Sequence, residues 1–148
     1  MTSKSKPAVD QPGPLAALDP GRSKCGLVRT DPARRCILEA GVLPPEACLQ
    51  RLLAWQRGGL ITGLVIGNGT GSRTWTSRLA AVLPVHSMEE WGSTLDARRR
   101  YWELEPARGW RRLVPVGLRQ PPRDWDDIVA QLLLERWLGY ELTRPPAR

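Results

Sequence analysis

Residues 15–30, LAALDPGRSKCGLVRT, set a single acid, Asp19, at the end of a short apolar strand. Leu15 to Leu18 offer no polar side chain to pair with a carboxylate, and Pro20-Gly21 turns the chain toward a second apolar run, Cys25 to Val28. The segment reads as a hairpin with a carboxylate at its core and Arg22 and Lys24 at its tip. An unpaired buried carboxylate is costly, and a metal ion is one of the few partners that offsets the cost. Asp-Pro-Gly is also a common turn opener, so Asp19 points to catalysis only in the company of further acids.

The 148 residues, 41% of them hydrophobic, suit one domain with a substantial core. The formal charge of +7, from 22 Lys and Arg against 15 Asp and Glu, favours polyanionic partners such as nucleic acid. Cys25, Cys36 and Cys48 match neither a Cys-x-x-Cys metal site nor a disulfide framework, and read as thiols of a reducing compartment. No stretch approaches the ~18 apolar residues of a membrane span, and the N-terminus lacks the apolar core of a signal peptide. The expectation is a cytoplasmic protein with no membrane partner.

Residues 1–13 read as a disordered N-terminal tail, 14–140 as the folded domain and 141–148 as a C-terminal tail. A third strand is expected from Arg34 to Val42, then a helix from Pro45 to Gln56 with Cys48, Leu49, Leu52, Leu53 and Trp55 at helical spacing, ended by Gly58-Gly59. Leu60 to Gly67 is a continuous apolar run, as in a parallel strand covered on both faces. After the loop Asn68-Gly69-Thr70-Gly71 come a helix carrying Trp75, Leu79, Ala80 and Val82, closed by Pro84, and a brief fifth strand from Val85 to Met88. Ser93 with Asp96 reads as a capping box opening the next helix, and Glu89 and Glu90 fall at the junction before it. Residues 105–123 hold Arg108, Arg111, Arg112, Arg119 and Arg123 among four prolines, too long a stretch for an ordinary connector. The last helix is expected from Asp124 to Gly139.

Three strands, helix, strand, helix, strand and two helices is the order of the ribonuclease H-like fold, an α/β mixed sheet of five strands, the first three antiparallel, flanked by helices. The chain resembles the YqgF/RuvX and RuvC-type resolvase families in three segments. They are Leu18-Asp19-Pro20-Gly21-Arg22-Ser23-Lys24-Cys25-Gly26, Glu89-Glu90-Trp91-Gly92-Ser93-Thr94 and Asp127-Ile128-Val129-Ala130. It is most similar to cyanobacterial proteins described as predicted resolvases, which share Asp-Pro-Gly-Arg, a Leu-x-Ala-Arg-x-x-Tyr-Trp helix and Asp-Asp-Ile-Val-Ala. The resemblance implies a metal-dependent endonuclease acting on structured RNA, such as a ribosomal RNA precursor, or on branched DNA, such as a Holliday junction. It implies Asp19, Glu90 and Asp127 as catalytic ligands of Mg²⁺ or Mn²⁺ in a two-metal site. Hard divalent ions prefer carboxylate oxygen, which accounts for the residue types.

Each acid also has a plain structural use. Glu89 and Glu90 suit a solvated helix start, Asp127 suits the third position after an Asp124 cap, and Asp126 suits a first helical turn. Glu90 rather than Glu89 is expected to face the site, since successive side chains at a strand end point to opposite sides. The families usually carry Arg after the catalytic Glu, where this chain has Trp91, so the alternative is a catalytically weakened nucleic-acid-binding module. A phosphatase or sugar kinase of the related actin-like fold fits poorly, because those folds duplicate the domain. Arg22, Lys24 and the five arginines of 105–123 are the expected nucleic-acid contacts, and His86 is expected to be structural. The sequence leaves open whether the unit is a homodimer.

Overall fold

The computed structural model describes residues 13–69, 71–89, 93–107, 109–115 and 124–145, with the backbone alone at 93–95 and 111. Its elements are β1 (Leu15–Asp19), β2 (Cys25–Thr30), β3 (Ile37–Leu43), α1 (Pro45–Arg57), β4 (Gly63–Gly67), α2 (Ser72–Leu79), β5 (Val85–Met88), α3 (Ser93–Leu104) and α4 (Asp126–Leu138), with a 3-10 turn at Gly109–Leu113. The five strands lie in the order β3-β2-β1-β4-β5. The pairs β1–β2 and β2–β3 are antiparallel, and β1–β4 and β4–β5 are parallel. This is the ribonuclease H-like arrangement.

Side-chain alternation along the central strands divides the core between the two faces of the sheet. Ala16, Leu18, Cys25, Leu27, Leu64 and Ile66 pack against Cys48, Leu49, Leu52 and Trp55 of α1 and Trp75 and Leu79 of α2. Leu15, Ala17, Val28 and Val65 face the other way, against Ala130 and Leu134 of α4. Every residue of β4 is buried, as its unbroken apolar run requires. The helix α3 lies outside α4, joined to it through Ala97, Tyr101, Trp102 and Ile128. A buried ion pair reinforces that contact: Arg100 donates to both carboxylate oxygens of Glu135, at 3.1 and 2.7 Å.

Several boundaries differ from the sequence expectation, each for a local reason. The third strand starts at Ile37 rather than Arg34, because Asp31 Oδ1 accepts from the backbone N–H groups of Arg35 and Cys36 at 2.8 and 3.0 Å, and Arg34 sits in the left-handed region at φ 59°. The fourth strand starts at Gly63 rather than Leu60, whose N–H is taken by Trp55 O at 2.8 Å to close α1. The last helix starts at Asp126 with Trp125 at its N-cap and no side-chain cap, so Asp124 is not the cap. Asp124 instead accepts from Lys24 Nζ at 2.7 Å, across the hairpin tip.

Residues 141–145, assigned on sequence to the C-terminal tail, pack back onto the domain. Leu142 is 1% exposed, and Thr143 exchanges backbone hydrogen bonds with Arg35 and Ile37. The expected N-terminal tail, apart from Gly13, lies outside the described residues. No helix among the described residues is long and apolar enough to cross a membrane.

Burial alone would raise the Asp31 carboxyl, but the N–H groups of Cys36 and Arg35 outweigh it and hold it below the ordinary 3.8. A carboxyl depressed by folding contributes stability above its unfolded pKa and loses it as the pH falls through the folded value. Asp31→Ala is therefore expected to cost about 1 kcal/mol at neutral pH. In urea titrations of both chains, that difference should shrink steadily as the pH falls below the ordinary aspartate value.

Candidate metal and nucleic-acid site

Because β1, β4 and β5 run parallel, Asp19, Gly67 and Met88 end their strands on one edge of the sheet. Leu18 is paired with Ile66 and Gly67 with Met88, which puts the ends of β1 and β5 two strand spacings apart, about 10 Å. The same edge receives the start of α4. Asp19 is paired across the hairpin with Gly26, and a Cβ at Gly26 would lie 1.8 Å from Asp126 O and 2.7 Å from Asp127 N. Only glycine admits that approach, so the sequence seats the first turn of α4 directly beside the strand pair that carries Asp19.

Asp19 is partly exposed, and the alternation of β1 turns it with Leu15 and Ala17 toward the α4 face. On β5, His86 lies against Trp137 of α4 (ring centroids 5.2 Å apart) and Met88 packs with the same cluster, while Val85 faces the other core. Burial lowers the His86 pKa. Glu89 comes next in the chain; Glu90 and Trp91 lie outside the described residues.

Asp127 is buried at 3% exposure, and its Oδ2 accepts from Arg144 Nη1 at 2.7 Å. The guanidinium is fixed by two further bonds to Gln131 Oε1, at 2.9 and 2.7 Å. Asp126 differs: its Oδ2 is buried with no hydrogen-bond partner, and Lys24 Nζ stands 3.6 Å away. Burial pushes the Asp126 carboxyl up, and the neighbouring charges of Asp124 and Asp127 add to this, against the pull of Lys24. Among the described residues no group of three His, Cys, Asp or Glu side chains is drawn together closely enough to hold a metal ion. That Asp126 oxygen faces the Lys24 ammonium as an ion pair, and the carboxylates of Asp19 and Asp126 are the hard oxygen donors that a divalent ion would take at this edge.

Among the expected nucleic-acid contacts, Arg22 is exposed at the hairpin tip, whereas the Lys24 ammonium is committed to Asp124 and Asp126. Arg112 is exposed on the 3-10 turn, its Nε donating to Gly109 O at 3.4 Å. Arg108, Arg119, Arg123 and the Arg111 side chain lie outside the described residues, as does the Ser93 half of the expected capping box. Asp96, the other half, pairs with Arg136 of α4. Sequence reasoning took Gly26 only as the end of the hairpin motif, without its contact to α4, and missed Arg144. A glycine inside an apolar strand was the available signal for the first, whereas nothing in a Pro-rich terminus marked the second.

No protein-family model matches the chain, and no curated protein does. Among solved structures it is similar to T. thermophilus RuvC in complex with Holliday junction substrate, at TM-score 0.40 and 13% identity over 84% of this chain and 96% of that one. It is also similar to the Aquifex aeolicus member of the Ppx/GppA protein family, at TM-score 0.31 and 12% identity over 62% of this chain and 39% of that one. Likenesses this distant concern the outline of the domain and carry nothing about its chemistry.

Proposed function

We propose that the chain is a divalent-metal-dependent endonuclease of structured nucleic acid, in which Asp19, Glu90 and an acid at the start of α4 hold Mg²⁺ or Mn²⁺. The observation that supports this most is the seating of the α4 N-terminus against Gly26, opposite Asp19, on the edge where β5 also ends. Met88, the last residue of β5, packs on the α4 side two positions before Glu90 in the chain. The bound ions would activate water and stabilise the charge of the attacking and leaving oxygens. The acids fix those ions, and the surrounding arginines grip the phosphates, neutralising the repulsion between substrate and site.

The test is cleavage of a four-way DNA junction and of a hairpin RNA with Mn²⁺ and with EDTA. Metal-dependent cutting of either is the expected result, and the substrate that is cut names the class. Tight binding with no cutting of either would favour the second reading, a weakened binding module, which Trp91 in place of the families' Arg supports. Replacing Arg111 and Arg112 by Ala is expected to weaken binding evenly across sequences and to lower the salt slope by about one for each phosphate left without its arginine. A salt titration of binding measures this directly.

A further inference from the structure

We propose, building on the nucleic-acid reading above, that the 3-10 turn Gly109–Leu113 presents Trp110 as a stacking platform for an unpaired nucleobase. The nucleic acid bound by this chain then carries unpaired bases beside its duplex. Tryptophan has the largest apolar surface to cover, and Trp55, Trp75 and Trp102 are buried while Trp125 and Trp137 are half-buried. Among the described residues, Trp110 is the one exposed tryptophan, at 67%. Leu113, three residues on, is 87% exposed. Side chains three apart on a 3-10 helix eclipse, so the two lie on one face of the turn. A single exposed apolar residue is ordinary, but two large ones on one short turn form a patch.

The charge around the patch selects its partner. Residues 106–123 carry five arginines and no acid, and Arg112, between Trp110 and Leu113 in the chain, is exposed. A second copy of this chain, itself at +7, would bring like charge to that surface. Nucleic acid brings negative phosphates together with a flat π-face on every base. A paired base keeps its faces within the stack, whereas an unpaired one can lay a face on an aromatic ring. Arg112 then serves an adjoining phosphate through its planar fork.

The turn is also well placed. Leu104, the last residue of α3, and Ala107 pack on the cluster that holds Ile128 of the first turn of α4, as does Trp125 at the α4 N-cap. Trp110 is three residues beyond Ala107, so the chain holds it within about 11 Å of that cluster residue. The platform therefore stands near the start of α4, on the side of the sheet edge where β1 and β5 end.

The experiment measures binding by fluorescence anisotropy in EDTA, so that neither metal nor cutting enters. The probes are a blunt DNA duplex and the same duplex with a single-stranded overhang, and the proteins are the unaltered chain, Trp110→Ala and Trp110→Tyr, each titrated over a range of salt. Trp110→Ala is expected to weaken binding of the overhang probe roughly tenfold or more, and of the blunt duplex by less than about twofold. The salt slope should stay as it is on both probes, because no charge is removed. Trp110→Tyr, which keeps a ring, should recover most of the loss. An equal loss on both probes, no loss on the overhang probe, or a loss that tyrosine does not recover overturns the proposal. So does a loss of self-association in Trp110→Ala, seen by sedimentation, with nucleic-acid affinity unchanged, which would make the patch a contact between copies. Failure of the unaltered chain to bind either probe overturns the nucleic-acid reading itself, and the platform with it.

Discussion

Gly26→Ala is expected to lower the thermal midpoint by about 6–12 °C, the counterpart of roughly 3 kcal/mol in a domain of this size. The added Cβ would lie 1.8 Å from Asp126 O, 2.1 Å from Asp126 C and 2.7 Å from Asp127 N. All three are backbone atoms, so no side chain can swing aside. The first turn of α4 would have to lift, drawing Ala130 and Leu134 from their packing against Leu15, Ala17 and Val65. Lifting it also takes Asp126 and Asp127 away from Asp19, so Mn²⁺ affinity should fall in the same variant. Calorimetry of the pair of proteins checks the first effect, and an unchanged midpoint would mean that α4 does not rest on β2 at Gly26.

Asp19→Asn is expected to reduce metal-dependent cleavage roughly a thousandfold or more, equivalent to about 4 kcal/mol of transition-state stabilisation. Asn keeps the shape of the side chain but removes the negative charge that a hard cation requires. The fold should survive, because Asp19 sits at the strand end and its backbone pairing with Gly26 is independent of the side chain. Single-turnover cleavage at saturating protein separates this loss from any change in substrate binding. Cleavage retained within a few fold would remove Asp19 from the chemistry.

The frame of the domain was legible because its signals are local. The apolar runs of β1, β2 and β4 and the spacing of Cys48, Leu49, Leu52 and Trp55 each follow from which side chains must be buried, and β5 lies where Val85 to Met88 indicated. What was not legible depends on contacts between distant residues. Lys24 draws Asp124 out of the capping role across 100 positions of sequence. Arg144 reaches Asp127 from a segment whose prolines read as a tail. The two adjacent acids of α4 are indistinguishable in sequence, and only their distant partners, Lys24 beside Asp126 and Arg144 on Asp127, tell them apart. The Asp31 side chain, by taking two backbone donors, moved the start of β3 in a way that strand propensity does not register.

Everything proposed for the chemistry depends on divalent metal binding at the edge formed by the ends of β1 and β5 and the start of α4. Anomalous diffraction from crystals grown with Mn²⁺ locates that metal without reference to activity. Manganese is expected between Asp19, Glu90 and an acid at the start of α4. Manganese absent from that edge at concentrations that support cleavage, or bound elsewhere on the domain, would refute the assignment of the site.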